Sequence, residues 1–119
     1  MARRLQRGDR LCQAREFRRV ALGGHRTVGR FFVMVAAPST RMDGSEAPRL
    51  GLTVSRRVGG SVVRNRVKRR IREWFRMSRE RLAPGQDLVI IARRGAGELE
   101  TREIFAALDG LAARARADG

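Results

Sequence analysis

The sequence predicts a single α+β domain, an α/β sandwich with a four-stranded sheet and about three helices in the order α-β-β-β-α-β-α. Three observations predict it. Apolar runs of strand length lie over 31–37 and 87–93, and the stretch 50–55 alternates cleanly. A long stretch from 61 to about 82 repeats its apolar residues at helical spacing before Pro84 and Gly85 stop it. The chain has 119 residues, which suits one domain and is too short for two full ones.

The elements follow in order. Residues 1–10 are basic and without periodicity, and read as a flexible arm. A short first helix is expected over 14–22, where Phe17, Val20 and Ala21 recur at helical spacing before Gly23 and Gly24. Thr27 and Val28 suggest a short strand. The run Phe31-Phe32-Val33-Met34-Val35-Ala36-Ala37 fits a strand covered on both faces. Residues 38–49, with Pro, Ser, Thr, Asp and Gly, read as a flexible loop. In the next strand Leu50, Leu52 and Val54 share one face, and Gly51, Thr53 and Ser55 the other. A turn over 56–60 leads to Ser61, the expected N-cap of the long helix. Residues 87–93 form a buried strand and 94–98 a Gly-rich loop. A closing helix over 101–115 has Ile104, Phe105, Leu108, Leu111, Ala112 and Ala115 on one side.

Charge narrows the function. Lys and Arg total 27 against 12 acids, a formal net charge of +15. A field of that size calls for a polyanionic partner: nucleic acid, an anionic membrane surface or an acidic protein. Biased codon usage would explain why Lys68 is the only lysine, but not the excess of cations over anions. A single Cys12 excludes an internal disulfide and a multi-cysteine zinc site. The single His25, beside two glycines, reads as a loop histidine. No apolar run approaches the roughly 20 residues of a membrane span, and no secretory signal is visible. A soluble, cytoplasmic protein is expected. No carboxylate pair, metal-ligand cluster or nucleophile–histidine set is visible, so catalytic and metal-binding residues are expected to be absent.

The long helix carries the functional signal. With Val67 at zero and about 100° per residue, Val63, Ile71 and Trp74 fall beside it, flanked by Phe75 and Met77. Opposite lie Asn65, Arg69, Arg72 and Arg76, with Lys68 and Arg79 beside them. Arg69 and Arg72 are three apart, and Arg72 and Arg76 four apart. Like charges at those spacings cost an isolated helix tenths of a kcal/mol per pair. A phosphate backbone offsets that cost, whereas a merely solvated face would not. Asn65 and Lys68 are the only asparagine and lysine in the chain, and sit three apart on this face.

The segment Arg64-Asn65-Arg66-Val67-Lys68-Arg69-Arg70-Ile71-Arg72-Glu73 resembles the signature of the protein subunit of bacterial ribonuclease P. So does Arg49-Leu50-Gly51-Leu52-Thr53-Val54-Ser55-Arg56-Arg57-Val58-Gly59. The resemblance extends over about 11–111. It implies that an RNA subunit is the catalyst, using Mg2+ bound mainly by that RNA to remove the 5′ leader of precursor tRNA. The protein would bind the ribonuclease P RNA and the leader, and would need neither a membrane nor a protein partner. It implies a left-handed β-α-β crossover at the long helix, against the usual right-handed preference. By resemblance Arg64, Asn65, Arg66, Lys68, Arg69 and Arg72 face RNA. Arg76, on the same face by its helical spacing, and Arg56 and Arg57, in the turn before the helix, are expected to extend that RNA-binding surface. Phe17 matches an aromatic of the leader cleft, while Ala21 and Val35 stand where relatives often carry rings. Phe17 also fits a simple core position. By the period of two, Phe31, Val33 and Val35 share a face and would floor the cleft, edged by Arg18, Arg19 and the Lys68 side of the long helix. A ribosomal protein or RNA chaperone is the alternative that shares this size and charge.

Overall fold

The computed structural model describes residues 7–11 and 13–118. Strand β1 (His25–Val28) pairs antiparallel with β2 (Phe32–Pro38), and β2 pairs antiparallel with β4 (Gln86–Ala92). Strand β3 (Arg49–Val54) runs parallel to β4, so the sheet order is β1-β2-β4-β3. Three α-helices cover it: α1 (Ala14–Gly23), α2 (Ser61–Ser78) and α3 (Thr101–Asp118). The order is the expected α-β-β-β-α-β-α, with α2 forming the crossover between β3 and β4. His25 opens β1 opposite Ala36 instead of lying in a loop.

The alternation of the strands divides the interior in two. Phe32, Met34, Leu50, Val54, Leu88 and Ile90 point to one face, where Val67, Ile71, Trp74 and Phe75 of α2 and Ile104 and Leu108 of α3 meet them. Trp74 is 1% exposed, and its Nε1 donates to Asp109 Oδ1 at 2.8 Å, so the buried indole keeps a partner. On the other face a smaller cluster joins Leu11, Val20, Val33, Val35, Ala37 and Val89, with Phe17 and Ala21 packed against it.

Several expectations need correction. Ser61 is not the N-cap: it is the first residue of α2, Gly60 takes the cap position in extended backbone, and no side chain caps this end. The long helix ends at Ser78 and tightens into a 3-10 turn, Arg79–Arg81, before Pro84. Phe31 lies outside β2. Its ring packs against the α2–α3 core beside Gly95, under the Arg30 guanidinium at 5.1 Å, and so on the face opposite to Val33 and Val35. The chain turns just before the strand, where Gly29 N–H donates to Phe32 O, so the period of two does not reach back to residue 31. The Gly-rich loop contains a 3-10 turn, Ala96–Glu98, with Ala96 fully buried.

The described parts of the two segments read as flexible make bonds to the rest of the fold. Of the arm, residues 1–6 lie outside the described residues. Arg7–Asp9 is a 3-10 turn, Asp9 is 2% exposed and ion-paired to Arg79 at 2.6 Å, and Arg10 bridges to Leu50 on the edge strand β3. The loop after β2 is bonded internally, Arg41 to Asp43 at 2.7 Å. It is also bonded to the turn before β4, with Ser39 N–H on Gly85 O and Gly85 N–H on Glu46 O.

Candidate nucleic-acid interface

Helix α2 presents the predicted cationic ridge because its apolar stripe is consumed by the core. Val67, Ile71, Trp74 and Phe75 are buried, and the residues opposite them are left outward. Asn65, Arg66 and Arg69 are exposed, while Arg64, Lys68, Arg70, Arg72 and Arg76 are partly exposed. Arg56 and Arg57 are exposed on the turn that feeds the helix.

The ridge side chains are not equivalent. Arg69 and Lys68 have no acidic partner among the described residues. Arg66 Nη2 donates to Gly97 O at 2.5 Å, which orients the side chain and leaves its charge unneutralised. Arg76 is different: Glu73 sits one turn back and accepts from it at 2.5 Å. That bond holds the Glu73 carboxyl below, and the Arg76 guanidinium above, their ordinary pKa values. Burial lowers the pKa of Arg72, and the nearby charge of Arg10 adds to it. The sequence did not single out Arg10, because its position beside α2 depends on the Asp9–Arg79 pair seventy residues apart.

The second predicted surface is only partly assembled. Phe17 is half-buried on α1, and its ring rests against Gly51 of β3. A Cβ at that glycine would lie 2.8 Å from Phe17 Cδ2 and 3.3 Å from Leu11 Cδ1. Beside it opens a shallow depression of about 540 Å³ lined by Leu11, Gln13, Ala14, Phe17, Arg18, Ala21 and Leu22. Val33 and Val35 lie beneath α1 at 7% and 0% exposure, so they support the depression from below and are not its floor. Phe31, on the opposite face, takes no part in it. Arg18 is exposed at the rim, whereas Arg19 turns inward to Asp87. Helix α2 lies in the other layer and meets this side only across the edge strand β3, along which Arg10 and Leu11 run.

Among the described residues, no three His, Cys, Asp or Glu side chains come together as a metal site. No helix among them is long and apolar enough to cross a membrane.

Comparison with known proteins shows the family. The family model Ribonuclease P matches residues 5–116. The ribonuclease P protein component of Shouchella clausii is 36% identical over 112 residues, covering 94% of this chain and 89% of the relative. That of Geobacillus kaustophilus is 40% identical over 97 residues, covering 80% and 76%. The solved RNase P protein of Staphylococcus aureus superposes with a TM-score of 0.80 at 30% identity, covering 90% of this chain and 94% of that one. With the family model spanning nearly the whole chain and the fold shared with a solved member, the chain belongs to the ribonuclease P protein family.

Proposed function

We propose that the α2 ridge docks on the RNA subunit of ribonuclease P while the α1 surface receives the 5′ leader of precursor tRNA. Ribonuclease P is an endoribonuclease, and this family supplies the protein subunit of its ribonucleoprotein. The observation that carries the reading is the outward face of α2: Arg64, Arg66, Lys68, Arg69 and Arg72 stand there without an acidic partner among the described residues. Phosphate contacts of this kind supply affinity and fix orientation more than they read sequence. Asn65, exposed among them, brings both donors and an acceptor to the same face.

In this proposal magnesium is bound mainly by the RNA subunit. The protein's part is to add cations beside the substrate, which lowers the magnesium needed to screen RNA against RNA. The enzyme would work in the cytoplasm.

Reconstitution tests the reading. RNA-free protein should leave precursor tRNA intact. The RNA subunit should cleave alone at high magnesium, and adding the protein should shift cleavage to lower magnesium. Specific 5′ processing by the RNA-free protein would overturn the proposal. For the leader surface, Phe17→Ala should weaken binding of a substrate with a leader of several nucleotides and spare one with a single-nucleotide leader. One stacked base contributes roughly 1–3 kcal/mol, and with Ala21 and Val35 lacking rings the low end is expected. Equal loss on both substrates with a lowered melting temperature would make Phe17 a core residue only.

A further inference from the structure

We propose that Asp87 is a positioning residue for the leader surface: one buried carboxylate that holds α1, and with it Phe17, at a single angle on the sheet. The inference rests on the reading of the α1 surface as the leader site.

Apolar packing holds α1 thinly. Val20 is its only fully buried side chain, and the cluster beneath it is the smaller of the two cores. Phe17 and Ala21 are only partly buried against that cluster, so apolar packing alone fixes the angle of this ten-residue helix weakly. The second fixed point is ionic. Asp87 is 0% exposed on β4, in register with Ala37 of β2 on one side and Arg49 of β3 on the other. Arg49 grips both its oxygens, Nε to Oδ1 at 2.9 Å and Nη2 to Oδ2 at 2.7 Å. From α1, Arg19 Nη2 reaches Oδ2 at 2.6 Å, and its Nη1 donates to Pro38 O at 2.9 Å. Glu16, also on α1, accepts from Arg19 at 3.2 Å, Arg49 at 3.4 Å and Thr40 Oγ1 at 2.7 Å. Thus α1 and β3 meet on the Asp87 carboxylate of β4, and Pro38 of β2 and Thr40 of the following loop join the network through Arg19 and Glu16.

The chemistry suits positioning better than binding. Two guanidiniums face two carboxylates, so the cluster is neutral in a chain of net charge +15. Its two arginines are engaged with internal carboxylates, unlike Arg69 and Arg72 of α2, which have no acidic partner among the described residues. A buried ion pair contributes little stability over an apolar replacement, and its best-attested use is to select one arrangement among several. The lever is short: Glu16 and Arg19 flank Phe17 within the same turns, and the half-buried Phe17 ring rests against Gly51 and the edge of the smaller core.

The test is a double-mutant cycle in the reconstituted holoenzyme, on substrates with a leader of several nucleotides and of one. Asp87→Asn, nearly isosteric, should weaken the long-leader substrate about five- to ten-fold and leave the short-leader one and the affinity for the RNA subunit unchanged. In the Phe17→Ala background it should have no further effect on the long-to-short ratio. A merely structural role would lower both substrates alike and leave the ratio fixed. If Asp87→Asn keeps the wild-type ratio while Phe17→Ala collapses it, the positioning role is overturned and the leader reading stands. If Phe17→Ala leaves the ratio untouched, both fall. Where Asp87→Asn does not fold, the part-exposed Glu16→Gln carries the same test, with a smaller shift in the same direction expected and an unchanged ratio overturning the role.

Discussion

Neutralising single positions on the α2 ridge should change the salt dependence of RNA binding unequally. Each phosphate contact contributes about −0.7 to −0.9 to the slope of log affinity against log salt. Arg64, Arg66, Lys68, Arg69 and Arg72 lack an acidic partner among the described residues, and if each meets one phosphate, those five give a slope of about −3.5 to −4.5. Arg69→Ala should then remove one unit. Between about 50 and about 200 mM salt, a four-fold change, that narrows the ratio of affinities by about three-fold. Arg76→Ala should do much less, because Glu73 already engages Arg76 at 2.5 Å and competes with any phosphate for it. The assay is a titration of fluorescently labelled RNA subunit at four or more salt concentrations. Circular dichroism confirms that both variants are folded. Equal slopes for Arg69→Ala and Arg76→Ala, or no change in either, would refute the distinction between engaged and unengaged cations.

Three more outcomes follow from the packing. Gly51→Ala should act on the α1 surface from below. Its Cβ would lie 2.8 Å and 3.0 Å from Phe17 ring atoms, so the ring must move, and leader discrimination should fall as in Phe17→Ala. Asp9→Ala should cost about 3 kcal/mol in urea denaturation by leaving Arg79, 10% exposed, without this partner; a loss under about 0.5 kcal/mol would show the pair to be dispensable. Burial alone would raise the Asp87 pKa, but the hydrogen bonds and charges of Arg49 and then Arg19 reverse this and leave it below the ordinary value. Its contribution is therefore intact above the unfolded pKa of about 3.9 and lost as pH falls through the lower folded value. Melting temperatures from pH 7 to pH 2 should show Asp87→Asn with a shallower acid limb than the wild type, and parallel limbs would contradict the assignment.

Much of the molecule was legible because it rests on short-range regularities. A period of two marked β3 and the buried runs marked β2 and β4, since alternating or continuous apolarity is what a half- or fully buried strand requires. A period of 3.6 separated Val67, Ile71 and Trp74 from Arg69 and Arg72, and burying the first set turns the second outward. The motif Arg64-Asn65-Arg66 was readable by resemblance, since it is contiguous in the chain, but the bond from Arg66 to Gly97 O, 31 positions away, was not.

Elsewhere the answer depended on what the rest of the chain brings alongside. Phe31 was placed with Val33 and Val35 by parity, and a turn at Gly29 removed it to the other face. Ser61 had the chemistry of a cap, but the backbone entered the helix one residue earlier, at Gly60. Arg19 looked like one more surface cation on a basic helix, yet it closes on Asp87 from 68 positions away. Arg49 reaches the same carboxylate from 38 positions away, and Asp9 finds Arg79 from 70. Local periodicity says which face a side chain takes. An ion pair depends on which distant charge lies opposite and on whether water is excluded between them, and only the packed sheet and its helices decide that.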